Sequence, residues 1–71
     1  MSLEEEKIKI LKAIEELGGI AKCKDIAERI GMSVQKVAAH IRALKNKGYV
    51  EQIKKGEYRL TEAGKKVLAG E

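Results

Sequence analysis

Proline, tryptophan and phenylalanine are missing from this 71-residue chain, and cysteine, histidine and asparagine appear once each. The single cysteine, Cys23, excludes an internal disulfide framework and a cysteine-based zinc site. No stretch approaches the ~18 consecutive apolar residues of a membrane span, and no signal-peptide pattern opens the chain, so a soluble, cytoplasmic protein is expected. The only aromatics are Tyr49 and Tyr58; they are not interleaved with basic residues as a single-strand stacking platform requires, and they suit the base of a hairpin better. There is no histidine pair, nucleophile elbow or glycine-rich phosphate loop. Catalysis therefore has no visible machinery, and neither an enzyme nor a cofactor nor a metal is expected.

What is present is charge, unevenly spread. Lys+Arg number 15 against 11 Asp+Glu, a formal net charge of +4. By segment the charge is −2 over residues 1–17, +1 over 18–32, +4 over 33–47, +1 over 48–60 and 0 over 61–71. The positive field is concentrated on one stretch, Ser33 to Lys47, which contains no acid. A concentrated basic face is the electrostatic footprint of a polyanion-binding surface.

That stretch reads as a helix. Ser33 is an N-cap residue, whose hydroxyl accepts from a free first-turn N–H, and Gly48 is a left-handed stop. Val34, Val37, Ala38, Ile41 and Leu44 recur at the spacing of one buried stripe. At 100° per residue, Gln35, Lys36, Ala39, Ala43 and Asn46 face outward, flanked by His40, Arg42 and Lys47. Two alanines amid basic and amide side chains leave the backbone free to approach an anionic groove closely.

Taken in order, Ser2 and Glu5 form a capping box, and Glu4 to Glu6 favour the positive end of a helix dipole. The first helix buries Leu3, the Lys7 stem, Ile10, Leu11, Ile14 and Leu17 and stops at Gly18-Gly19; Ile8 lies off that stripe and is either covered by the last helix or exposed as a dimer contact. Gly19-Ile20-Ala21 can add a pair or two at a sheet edge. A second helix over 22–30 buries Ile26, Ala27 and Ile30, and only Gly31 and Met32 separate it from the Ser33 cap, the short turn of a helix-turn-helix. Cys23, between Lys22 and Lys24 at this helix start, is either a small half-buried residue or a thiol of lowered pKa.

After Gly48 the period becomes two. Tyr49 to Ile53 and Glu57 to Leu60 read as strands about a three-residue loop, Lys54-Lys55-Gly56. This register pairs Ile53 with Glu57, Gln52 with Tyr58, Glu51 with Arg59 and Val50 with Leu60. Thr61 caps a short last helix over 62–68, weakened by Gly64 by ~1 kcal/mol relative to alanine. The expected fold class is mainly α with a small β-hairpin, as one domain over 1–71.

The DIAERIGMSVQKVAAHIRALKNKGYV and YRLTEAGKKVL blocks in this order resemble small prokaryotic winged helix-turn-helix transcriptional regulators of the MarR and PadR types. The resemblance implies double-stranded DNA as partner, with helix 33–47 in the major groove and the wing, residues 53–57, on the adjacent backbone or minor groove. Ser33, Gln35, Lys36, Ala39, His40 and Ala43 would lie nearest the bases; Lys54, Lys55 and Arg59 would serve the wing. Lys36, Arg42, Lys45 and Lys47 would neutralise phosphates. Gln35 suits adenine N6 and N7, Ala39 a thymine methyl, and the lone His40 a phosphate or guanine if it is not simply solvated. The larger regulators have a longer wing and long terminal dimerising helices. One helix and one wing bury roughly 600–1,000 Å² on DNA, so useful specificity favours a homodimer or another partner. Other uses of the fold are a protein-interaction module of a larger complex, a non-specific architectural or replication factor, and a reader of RNA or left-handed DNA. The lack of proline and tryptophan argues against the reader of left-handed DNA.

Overall fold

A computed structural model describes residues 4–70. Ser2 and Leu3 lie outside the described residues; Glu4, extended at ψ 149°, is the N-cap of α1, so the helix begins at Glu5 and Glu5 is not the third residue of a Ser2 capping box. The elements run α1 (Glu5–Glu16), β1 (Ile20–Lys22), α2 (Cys23–Ile30), α3 (Val34–Asn46), β2 (Val50–Lys54), β3 (Glu57–Leu60) and α4 (Glu62–Gly70). Among the described residues no helix is long and apolar enough to cross a membrane.

The core forms where the inward stripes of three helices meet the sheet. Ile10, Leu11 and Ile14 of α1, Ile26 and Ala27 of α2, and Val37, Ile41 and Leu44 of α3 close on Ala21, Val50 and Leu60. Burial of this kind is what holds helices of 8 to 13 residues, too short to be stable alone. The Lys7 stem is covered as expected, its side chain 15% exposed with the ammonium on Glu4. Ile8 is buried, on a helix that packs against α4, so it is not an exposed contact.

Two apolar residues expected in the core are outside it. Leu17 is 37% exposed because α1 ends at Glu16 and the chain turns away through Gly18 and Gly19, at φ 102° and 93°; Ala13 fills the stripe instead. Val34 is 49% exposed. It is the first residue of α3, and helical Cα–Cβ bonds tilt toward the N-terminus, so its side chain leans past the helix start rather than onto the core.

The helix-turn-helix junction follows the sequence closely. Gly31 adopts φ 70° at the end of α2, and Met32 N–H donates to Ala27 O at 3.0 Å, an extra turn that reverses the chain in two residues. Ser33 Oγ then accepts from Lys36 N–H at 3.1 Å, capping α3.

The three strands form an antiparallel sheet in the order β1-β3-β2. β1 pairs along its whole length, Ile20 with Arg59, Ala21 with Tyr58 and Lys22 with Glu57, more than the pair or two expected. In the hairpin the pairs Val50–Leu60, Glu51–Arg59 and Gln52–Tyr58 are those the sequence predicts, but Lys54, not Ile53, opposes Glu57. The loop tightens to Lys55-Gly56, and Ile53 becomes a bulge. Only Gly56 has positive φ (76°), so the turn is not the primed type that matches strand twist, and the bulge absorbs the mismatch.

Candidate nucleic-acid interface

α3 presents three kinds of surface. Its inner stripe is in the core, while its outward face carries Gln35, Ala39, Arg42 and Asn46, all exposed, with Ala43 half-buried beside them. Among the described residues, Gln35, Arg42, Lys47 and Lys55 make no ion pair and no side-chain hydrogen bond within the chain. An outside anion therefore has no carboxylate of the described residues to displace at Arg42 or Lys47.

One flank of α3 is tied to α1. Lys36 Nζ donates to Glu6 Oε2 at 3.2 Å, and His40 Nε2 donates to Glu6 Oε1 at 3.0 Å. Lys36 and His40 are one turn apart and so lie side by side. The His40 side chain is only 16% exposed, facing α1 rather than standing on the outward face with Gln35. The Lys36 hydrogen bond and then the His40 hydrogen bond hold the Glu6 carboxyl below its usual range.

The opposite flank is tied to the wing. Lys45 Nζ donates to Gln52 Oε1 at 3.3 Å, and Gln52 Nε2 donates to Lys54 O at 3.4 Å, so the end of α3 and the tip of the hairpin are linked through one amide. An open groove of about 610 Å³ lies there, lined by Lys45, Glu51, Gln52, Ile53, Lys54 and Lys55. Of the wing cations, Lys55 is exposed at the turn, Lys54 is 3.5 Å from Glu57, and Arg59 is paired with Glu51 across the strands. Ser33 uses its hydroxyl as the helix cap.

The structure thus ties the C-terminal end of α3 to the hairpin tip through the Lys45–Gln52 link, leaves Gln35, Ala39 and Arg42 exposed, and turns His40 and Lys36 toward α1. Gln52 is missing from the sequence reading of this surface, although strand alternation puts it on the same face as Val50, the face toward α3. Glu6 is missing too, because its position in the first turn of α1 already has an explanation in the helix dipole. Cys23 is half-buried, and burial pushes its thiol pKa up, against the lowering that flanking lysines and a helix start suggest. Among the described residues no group of three His, Cys, Asp or Glu is placed to hold a metal ion.

In sequence, residues 3–51 match the family of winged helix-turn-helix DNA-binding domains. Over 47 residues the chain is 49% identical to an uncharacterized protein of Methanocaldococcus jannaschii, covering 66% of this chain and 18% of that protein. A Pseudomonas aeruginosa protein assigned as a transcriptional regulator superposes with a TM-score of 0.86 at 26% identity, over 92% of this chain and 47% of its own. The reduced form of MarR from E. coli superposes with a TM-score of 0.89 over 99% of this chain and 52% of its own; at 16% identity this is likeness of fold. The chain therefore spans about half the length of these solved structures and about a fifth of the curated relative.

Proposed function

This chain belongs to the winged helix-turn-helix DNA-binding family, and from that premise we propose that it binds double-stranded DNA as part of a transcriptional regulator, with α3 in the major groove and the wing on the adjacent backbone. The observation that carries the reading is the Lys45–Gln52–Lys54 link. It joins the end of α3 to the hairpin tip, which supports reading the acid-free outward face of α3 and the lysine-bearing tip as one surface. A major groove about 12 Å wide admits a helix with small residues at its centre, and Ala39 and Ala43 supply them.

In this reading Gln35 donates to and accepts from an adenine edge, and Ala39 meets a thymine methyl. Arg42, Lys45 and Lys47 neutralise phosphates along the groove, and Lys54 and Lys55 neutralise them beside it. Lys36 is a phosphate ligand that has to leave Glu6, and His40 and Arg59 act through the residues that hold them. Ser33 fixes the start of the helix, with its backbone close to the DNA. One such module buries roughly 600–1,000 Å², so specific recognition requires a second copy or other parts of a longer protein. The likeness to a protein assigned as a transcriptional regulator supports the regulatory role.

The test is selection from a random duplex pool at several salt concentrations, followed by sequencing of the retained fraction. Enrichment of a motif that Gln35→Ala relaxes at one position, with Arg42→Ala weakening all sequences and lowering the salt slope by about 1, is the expected result. Binding without an enriched motif indicates an architectural role, and no binding at about 50 mM salt refutes the DNA reading.

A further inference from the structure

Glu6 is, among the described residues, the carboxylate that pairs with α3, and it takes two partners there. Its oxygens sit at hydrogen-bond distance from Lys36 Nζ and His40 Nε2, as two oxygens of a phosphate would. The pair is open to solvent: the Lys36 and Glu6 side chains are 56% and 43% exposed. An ion pair in that setting is weak enough for a stronger anion to displace it. Gln35, Ala39 and Arg42, pointing the other way, are untouched by Glu6.

We infer that Glu6 is an intramolecular competitor for DNA phosphate at Lys36, a residue of α1 that sets how much of the charge on α3 is available to DNA. This rests on the reading of α3 as the DNA-facing helix. The depressed Glu6 pKa fits the geometry, since it keeps the competitor ionised throughout the neutral range. A purely structural role, in which Glu6 only ties the start of α1 to α3, changes stability and leaves the salt dependence of binding alone. Competition changes the salt dependence, because each additional phosphate contact releases counterions.

The experiment measures anisotropy of a labelled random-sequence duplex pool from about 50 to about 200 mM salt, with the melting temperature of each variant taken alongside. Glu6→Gln is expected to bind about two- to five-fold tighter at the low-salt end, the size of one exposed ion pair, and to steepen the slope of log K against log salt by about 0.9. Glu5→Gln removes the same charge from an exposed neighbour on α1 without a partner on α3, and should leave the slope at the native value. In a Lys36→Met background, Glu6→Gln should bring no gain. Equal effects of Glu5→Gln and Glu6→Gln, a gain that survives Lys36→Met, or a lowered melting temperature with an unchanged slope would each overturn the inference and leave the DNA reading standing. A native protein that does not bind the pool at about 50 mM salt overturns both.

Discussion

Gly64 sits in the interior of α4, and by helix propensity alone its replacement by alanine stabilises the protein by about 1 kcal/mol. The structure predicts the opposite. Gly64 is buried where α4 crosses the start of β2, and a Cβ there would overlap the Tyr49 carbonyl oxygen and lie 2.7 Å from Leu60 Cδ1 and 3.2 Å from the Tyr49 carbonyl carbon. Leu60 can rotate, but the Tyr49 carbonyl cannot, because it also accepts from Thr61 N–H at 3.1 Å. Moving α4 away strains two further bonds of Thr61, whose hydroxyl donates to Gly48 O at 2.6 Å and accepts from Gly64 N–H at 3.1 Å. Overpacking of this kind costs about 1–3 kcal/mol, and each weakened hydrogen bond adds about 0.5–1.5 kcal/mol. With two hydrogen bonds weakened and the propensity gain subtracted, the net for Gly64→Ala is a loss of about 1–5 kcal/mol. In a domain of this size each kcal/mol is about 4–8 °C in Tm. Urea and thermal unfolding of native protein and Gly64→Ala measure this directly, with Gly70→Ala, where a Cβ meets open space, as the control. A Gly64→Ala variant that melts above the native protein would refute the close approach of α4 to Tyr49.

Three further outcomes follow from other contacts. Ser33→Ala removes the acceptor of the Lys36 N–H and should cost about 1 kcal/mol in urea unfolding, whereas a cost near zero would mean that the cap is not formed in solution. Glu6 has a folded-state pKa below its ordinary 4.5, so its contribution to stability is fully present above that value and is lost as pH falls through the folded pKa. Any Tm advantage of native protein over Glu6→Gln should therefore vanish once the pH falls below the folded-state pKa of Glu6; an advantage that persists there would contradict the Glu6 contacts. The Cys23 thiol, its pKa raised by burial, should alkylate more slowly at pH 8 than a free cysteine and speed up on unfolding, and faster alkylation in the folded state would restore the reading of a thiol of lowered pKa.

The parts of the fold that local chemistry decides were readable in the sequence. Ser33 and Gly48 bound α3 because a cap and a left-handed glycine act within a few residues, and the hairpin register near the core follows from alternation that buries Val50 and Leu60. The parts that depend on contacts distant in sequence were not. Nothing near Gly64 announces that Tyr49 passes beneath it, so the glycine reads as a weak helix position rather than a close approach. His40 reads as a groove residue until Glu6, thirty-four positions earlier, is placed beside it. Val34 and Leu17 fit their stripes by angle, and only the position of each helix end turns them outward. The bulge at Ile53 comes with a two-residue turn at Lys55-Gly56 in place of the three-residue loop expected at Lys54-Lys55-Gly56.

An NMR titration of isotope-labelled protein with a short duplex at low salt tests whether the outward face of α3 and the wing tip form one DNA-binding surface. The signals of Gln35, Ala39, Arg42 and Lys55 are expected to shift together with a single affinity, while those of Lys9 and Lys12 on the exposed side of α1 stay in place. Shifts centred on Lys9 and Lys12, or confined to the wing with α3 unmoved, would contradict it.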